Sequence, residues 1–156
     1  MRKLLIGATL LFLTSNQGIS QTLTPLGNYL GHKDLNSQGT YYSAVWGYYD
    51  ANGREYAILG CYKGAAIIDL SYLPDSLHEV GFVPGPRGYY SYREMKTYLN
   101  YLYIVSDANS YGDPPIGLQI VDLSYLPDSV HYLNTFTYTG YSQAHTISES
   151  NGFIFL

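Results

Sequence analysis

Two stretches of this chain are nearly identical: GAAIIDLSYLPDSLH runs from Gly64 to His78, and GLQIVDLSYLPDSVH runs from Gly117 to His131. Residue 117 stands 53 positions after residue 64, and eight consecutive residues, Asp69–Ser76 and Asp122–Ser129, are identical. A period near ~50 residues is typical of propellers and of stacked repeat arrays. The repeat therefore predicts a chain built from copies of one β-unit.

A second signature lies upstream of the copies and recurs in a third unit. A Tyr-Ser pair opens a run that ends in Asn, at residues 42–52, 90–100 and 141–151. The stretches that follow, YAILG, YLYIV and GFIFL, are rich in β-branched and aromatic residues and are predicted to be strands. No helical period competes with them after the amino terminus.

Each unit is predicted to hold four strands, with Asn52-Gly53 and Pro74 among the turn residues of the first. In that unit the approximate strand limits are 43–49, 55–60, 64–70 and 77–84. The predicted fold class is all-β: a β-propeller of four-stranded antiparallel blades that is incomplete in this chain. Blade one covers about 41–86, blade two about 89–137, and blade three begins over 141–156. Propellers usually have ~4 to 8 blades, so we expect this chain to be the front of a longer protein or a fragment that must pair with another chain.

The amino terminus has the layout of a secretory signal peptide over residues 1–20. The basic residues Arg2 and Lys3 precede an apolar run, Leu4 to Leu13, which is too short to span a bilayer. A lead-in segment follows over 21–40. The pattern predicts a secreted or cell-surface protein with no transmembrane span in its mature part.

Composition narrows the class of partner. The chain has 12 acidic and 8 basic residues, and nucleic-acid binding is disfavoured because it needs clustered Lys and Arg. Tyrosine occurs 19 times, which suits contact with an extracellular protein or carbohydrate. Cys61 is alone and is predicted to pack as a small apolar residue.

The sequence GLQIVDLS, preceded by YLYIVSD and followed by a turn with proline, resembles the LVIVD repeat of bacterial and archaeal surface proteins. The wider run, from WGYYDANGREYAILG through SYREMKTYLNYLYIVSD to AHTISESNGF, is similar to the choice-of-anchor B family over about Asn28 to Leu156. The resemblance implies a β-propeller that is exported, with an anchoring signal beyond this fragment. It implies no particular reaction.

Four residues near the start of the first strands are candidate ligand-binding groups. In a propeller these strands lie innermost, so equivalent positions converge around the axis. The Tyr-Ser alignment places Trp46, Glu94 and His145 at one position, with Arg93 just before Glu94. Together they could bind an anionic or sugar-like ligand, and Glu94 and His145 could share a metal or move a proton. The favoured interpretation is plainer: these side chains satisfy backbone groups and line a hydrated channel.

Three pairs of polar residues recur at equivalent positions of the two copies, and their duplication favours a structural role over catalysis. An Asp that follows an apolar strand and precedes a turn is predicted to cap free N–H groups of that turn. The pairs are Asp69 with Asp122, Asp75 with Asp128, and His78 with His131.

The long turn of the second unit offers a weak candidate calcium site. Asp107, Asn109 and Asp113 resemble a calcium loop with oxygen ligands at alternating positions. Tyr111 stands where a ligand is wanted, and Leu118 stands where the bidentate Glu would fall. An ordinary long turn is therefore the favoured interpretation, and no cofactor is predicted.

Three functions stay open. The leading hypothesis is an exported, non-catalytic propeller that presents a binding face at the cell surface, because no zinc spacing, phosphate loop or nucleophile motif is present. The alternative is an extracellular hydrolase or lyase that acts on a polymer or peptide at the axial residues. The third is a spacer between the export signal and a distal domain.

Overall fold

A computed structural model describes residues 24–33, 42–86, 92–107, 116–139, 141 and 143–156. Within these ranges the chain forms ten β-strands and no helix, so the all-β prediction is confirmed. None of the described residues belong to a helix that could cross a membrane. The predicted signal peptide lies outside the described residues.

The strands form two four-stranded antiparallel sheets and a separate hairpin, each connected in chain order. The strand limits predicted for the first unit agree with the structure to within one residue. Sheet one consists of β1 (Tyr42–Tyr49), β2 (Glu55–Cys61), β3 (Gly64–Asp69) and β4 (His78–Pro84). Sheet two consists of β5 (Arg93–Tyr98), β6 (Tyr101–Ser106), β7 (Leu118–Asp122) and β8 (His131–Phe136), and the third unit is the hairpin β9 (Ser148–Ser150) and β10 (Phe153–Phe155).

The duplicated Asp residues cap the turn that follows the third strand of each sheet. Asp69 Oδ1 accepts a hydrogen bond from the Ser71 N–H at 2.8 Å, and Asp122 Oδ1 accepts one from the Ser124 N–H at 2.8 Å. The predicted capping role is therefore confirmed. The backbone N–H groups of Asp75 and Asp128 close the same turns on the carbonyls of Tyr72 and Tyr125.

The duplicated His residues also make matching contacts in the two sheets. His78 stacks on Tyr72 with ring centroids 4.3 Å apart, and His131 stacks on Tyr125 at 4.0 Å. In each case Nε2 of the ring lies within hydrogen-bonding distance of the Ser two residues earlier. Equal contacts in both copies support the structural role that the duplication predicts.

The main core lies between the two four-stranded sheets, and the first strands of the three units are neighbours. β1 packs beside β5, and β5 packs beside β9. This arrangement places the start of each unit near the start of the next. The buried core includes Tyr56, Ile58 and Ile67 from sheet one and Met95, Leu102, Ile104 and Val121 from sheet two.

Residues 24–33 cover the face of sheet one that points away from sheet two. Tyr29 packs against buried Cys61 and Ile68, and His32 stacks on Phe82 with centroids 3.9 Å apart. Val121, the repeat equivalent of Ile68, instead faces sheet one. Residues 24–33 therefore cover sheet one in the way that sheet one covers sheet two. Cys61 packs as a small apolar residue, as predicted.

We expect alanine at Gly60 to destabilise the contact between the sheets. A Cβ at Gly60 would lie 2.5 Å from Ser43 Oγ and 3.3 Å from the Arg93 carbonyl oxygen, whereas a Cβ at Gly47 would meet nothing within 4 Å. Gly60→Ala should lower the free energy of unfolding by about 1–3 kcal/mol because the packed site has no room.

Urea unfolding of both variants measures this effect. Gly47→Ala is the matched control in the same sheet and should leave the unfolding free energy unchanged, or raise it by up to about 1 kcal/mol, because alanine loses less conformational entropy on folding. Equal losses in the two variants would contradict the role assigned to Gly60.

Candidate ligand site at the first strands

The strand registers define which residues of the first strands are equivalent. Asp69 pairs with Tyr56, and its copy Asp122 pairs with Tyr101, so Tyr56 and Tyr101 are equivalent. Two residues further along each second strand, Ile58 pairs with Trp46 and Tyr103 pairs with Lys96. Trp46 is therefore equivalent to Lys96. The ungapped Tyr-Ser alignment is therefore out of register by two residues in the second unit. The physical reason is turn length: five residues join Tyr49 to Glu55, whereas two join Tyr98 to Tyr101.

A cavity of about 290 Å³ opens where β1, β5 and the third unit begin. Three of the four candidate residues, Arg93, Glu94 and His145, meet there. Ser43, Ala44 and Tyr92 are the other described residues of its lining. The three candidates come together because the first strands are neighbours.

Trp46 lies elsewhere. Its indole N–H donates to Thr97 Oγ1 at 3.0 Å, and Lys96 Nζ lies 3.8 Å from the ring centroid. The ring packs against the core between the sheets. Trp46 therefore joins β1 to β5 and is not among the residues that line the cavity.

Arg93 is buried, with 1% of its surface exposed, and its guanidinium ties the two sheets together. Nε donates to the Cys61 carbonyl at 3.0 Å, and Nη2 donates to the Tyr62 carbonyl at 3.3 Å. Nη1 donates to Ser106 Oγ at 2.7 Å within sheet two. A guanidinium held in this way supports the cavity rather than presenting its charge to a ligand.

Ser43 and Glu94 bond to the backbone of the next unit. Ser43 Oγ accepts from the Arg93 N–H and donates to the Arg93 carbonyl, both at 3.2 Å. Glu94 Oε2 accepts from the Ile147 N–H at 3.0 Å. These contacts agree with the interpretation that polar side chains at the strand starts satisfy backbone groups.

His145 is exposed at the cavity, with 70% of its side chain accessible. Nδ1 lies 2.5 Å from Asp107 Oδ2, and the Tyr92 ring centroid lies 5.8 Å away. The hydrogen bond and charge of Asp107 raise the pKa of His145, and the charge of Glu94 adds to the effect. With Nδ1 bonded to Asp107, Nε2 is the nitrogen that a ligand could use.

The described residues contain no group of three or more His, Cys, Asp or Glu side chains placed to hold a metal ion. Of the calcium-loop candidates, Asp107 pairs with His145, whereas Asn109 and Asp113 lie outside the described residues. Of the described residues that line the cavity, Ser43 and Tyr92 carry hydroxyl groups, and the partners of Ser43 are backbone groups rather than a base.

We expect lysine to be a poor substitute for Arg93 in the contact between the two sheets. An ammonium concentrates its donors on one atom and cannot reach the three separate oxygens that the fork of a guanidinium reaches. Arg93→Lys should lower the free energy of unfolding by about 2–3 kcal/mol, as expected for lost hydrogen bonds of a charged group. Chemical denaturation provides the measurement.

Arg54→Lys serves as the control for that loss, because Arg54 is partly exposed and pairs with Asp69 at 3.3 Å through one nitrogen. Its cost should stay below about 1 kcal/mol. A loss at Arg93 no larger than the loss at Arg54 would count against a clamp between the sheets.

The pKa of His145 should fall when Asp107 is neutralised. In the native chain we expect it above the ordinary value of about 6.5, and Asp107→Asn should return it toward that value. Since the folded-state pKa is raised, the pair stabilises the fold below about pH 6.5 and this contribution is lost as pH rises through the folded pKa.

NMR titration of the imidazole signals tests the shift, with Asp128→Asn as a control on a distant turn. The stability difference between Asp107→Asn and the native chain should appear near pH 5 and vanish at alkaline pH. An unchanged His145 titration in Asp107→Asn would disprove the pairing.

Comparisons of the chain with protein-family models, with curated proteins and with solved structures found no match. The relation to the LVIVD repeat and to the choice-of-anchor B family therefore stays a hypothesis based on the sequence.

Proposed function

We propose that the sheets are blades of an exported β-propeller of the LVIVD type, which acts at the cell surface as a non-catalytic binding module. Three features support the proposal: the duplicated four-stranded units, the side-by-side first strands and the amino-terminal export pattern. The ligand site is the cavity at the strand starts.

The observation that carries the proposal is the engagement of the polar side chains around that cavity. Arg93, Ser43 and Glu94 all bond to groups of a neighbouring unit. Such groups hold the sheets in place and are not free to activate a nucleophile. A rigid cavity with few reactive groups suits binding better than turnover.

Two exposed aromatic rings at the cavity are accessible to a partner. The Tyr92 ring is 45% exposed, and it stands beside the exposed imidazole of His145. A tyrosine offers a large apolar face with a polar tip, and histidine adds a hydrogen-bonding group. This pair suits contact with a peptide or a sugar ring, so the proposed partner is an extracellular protein or carbohydrate.

One observation favours a second candidate function, an extracellular hydrolase or lyase. An Asp that bonds Nδ1 of a histidine orients the imidazole and makes Nε2 more basic, as in general acid-base catalysis. His145 and Asp107 have this relation. In this candidate, His145 would move a proton of a bound polymer or peptide.

Both candidates can be tested with one set of immobilised extracellular polymers: chitin, xylan, polygalacturonate and gelatin. Binding is measured by interferometry, and released products are measured by mass spectrometry. We expect retention on at least one polymer without product. Tyr92→Ala and His145→Ala should each weaken retention about tenfold, as expected for central contacts of a small interface.

The matched control is Tyr132→Ala, which removes an exposed tyrosine of β8 away from the cavity and should leave retention unchanged. Product that disappears in His145→Ala and Asp107→Asn would establish the enzymatic function instead. Retention that neither Tyr92→Ala nor His145→Ala affects would overturn the assignment of the site.

A further inference from the structure

The hairpin of the third unit has an open edge. Asn151 and Gly152 join β9 to β10, and among the described residues β10 pairs only with β9. The second strands of the other two units each lie between two neighbours: β2 pairs with β1 and β3, and β6 pairs with β5 and β7. In the described part of the chain, β10 is therefore the second strand that has no third strand beside it.

Turn length and packing define which residues of β10 and β6 are equivalent. Two residues join β5 to β6, and two residues join β9 to β10. Phe153 of β10 is therefore equivalent to Tyr101 of β6, and Ile154 is equivalent to Leu102. Packing agrees with this equivalence, because both of the latter residues face the preceding unit. Leu102 lies in the core between sheets one and two, and Ile154 packs beside Val105 of sheet two.

Ile154 directs its backbone groups toward the open edge. The carbonyl of Asn100, just before β6, accepts a hydrogen bond from the Leu123 N–H at 2.8 Å and therefore points to the side of β7. Backbone groups two residues apart in a strand point to the same side, so Leu102 also directs its N–H and carbonyl to β7. The equivalent N–H and carbonyl of Ile154 have no strand beside them among the described residues.

One type of strand occupies the equivalent edge in both four-stranded sheets. Residues 64–71 and 117–124, which contain β3 and β7, share the pattern Gly-x-x-Ile-Ile/Val-Asp-Leu-Ser. Both strands pair in one register, with the Asp opposite Tyr56 in β2 and opposite Tyr101 in β6. At the open edge, the same register places this Asp opposite Phe153 and the Ile two residues before it opposite Phe155.

Phe155 offers a side-chain contact to such a strand, because 55% of its surface is exposed. Its equivalents already make this contact: Ile58 stands opposite Ile67, and Tyr103 stands opposite Ile120. Pairs of an aromatic and a β-branched residue stabilise neighbouring strands. The pattern therefore fits the open edge through its side chains as well as through its backbone.

The outer edges of β4 and β8 differ from the edge of β10. Each of these strands is the fourth of its sheet, and neither described sheet adds a fifth strand to it. β4 also ends at Pro84, which has no N–H to donate. The repeat therefore defines an occupant for the edge of β10 and none for the edges of β4 and β8.

We propose that the open edge of β10 binds one antiparallel strand with the pattern Gly-x-x-Ile-Ile/Val-Asp-Leu-Ser, supplied by a separate polypeptide. The two copies of this pattern in the chain are already paired within sheets one and two. An open sheet edge suits strand addition, in which backbone bonds give affinity and side-chain pairs give register. The proposal depends on the repeat and on the strand registers, and it does not depend on the candidate ligand site.

The test is NMR titration of the full chain with a synthetic peptide of residues 117–131. We expect saturable shifts of the amide signals of β10. At saturation, amide exchange at Ile154 should slow by about tenfold or more, because a new backbone bond protects its N–H. Amide exchange in β4 and β8 should stay unchanged.

Two substitutions at one position separate the backbone bond from side-chain packing. Ile154→Pro removes the N–H at the open edge and leaves the backbone groups of Phe153 and Phe155 that pair with β9. Ile154→Ala removes the same side chain but keeps the N–H. We expect Ile154→Pro to weaken peptide binding by at least about tenfold, and Ile154→Ala to weaken it by less than about threefold.

Three controls use a protein with the native β10. A peptide with Val121→Pro lacks the N–H that would bond to Ile154 and should not bind. A peptide of residues 131–138, which contains β8 but not the shared pattern, should not bind either. The variant His145→Ala alters the candidate ligand site and should bind the 117–131 peptide like the native chain.

The proposal fails if the 117–131 peptide does not bind at about 1 mM, if it protects β4 or β8 instead of β10, or if the two Ile154 variants bind it equally. Equal binding of the Val121→Pro peptide would also overturn it. Sedimentation of the chain alone tests a different occupant. A dimer that Ile154→Pro dissociates would assign the edge to a second copy of this chain and would overturn the proposal.

Discussion

The guanidinium of Arg93 lies buried where the two four-stranded sheets meet. A charged group that loses its water destabilises the fold unless protein oxygens replace that water. The carbonyls of Cys61 and Tyr62 in sheet one and the hydroxyl of Ser106 in sheet two replace it. The β2–β3 turn must therefore lie against the start of β5, which sets how one sheet packs on the next. The glycines at 60 and 85 belong to the same constraint, because a Cβ at either position would overlap Ser43 or Arg93.

This constraint also separates the parts of the unit that repeat from the parts that differ. The turn after the third strand lies within one sheet, so the capping Asp and the stacked His recur unchanged in both sheets. Side chains at the strand starts form hydrogen bonds to the next unit, and the residues that they meet differ from one junction to the next. Ser43 bonds to the backbone of β5 through a hydroxyl, whereas Glu94 reaches Ile147 through a carboxylate. Variation at the junctions is thus the expected result of packing a repeat against unlike neighbours.

The distinction between contacts within one sheet and contacts between sheets also decides how much could be predicted from the sequence. Strand limits and the capping role of Asp69 and Asp122 were predictable, because they depend on residues close together in the chain. The equivalence of Trp46 with Lys96 was not, since a longer turn after β1 shifts the register without leaving a gap in the Tyr-Ser pattern. The partners of Arg93 depend on the packing of one sheet against another, which no local pattern contains.

The polar groups at the strand starts divide into those that the fold uses and those that a partner can reach. Arg93, Ser43 and one carboxylate oxygen of Glu94 bond to a neighbouring unit, so these groups stabilise the packing of the units. Tyr92 and His145 lie exposed beside them. Exposed rings on a rigid support can bind a partner at a low cost in conformational entropy, because little of the site has to become ordered on binding. The same junction therefore provides both the rigidity of the fold and the side chains of the candidate ligand site.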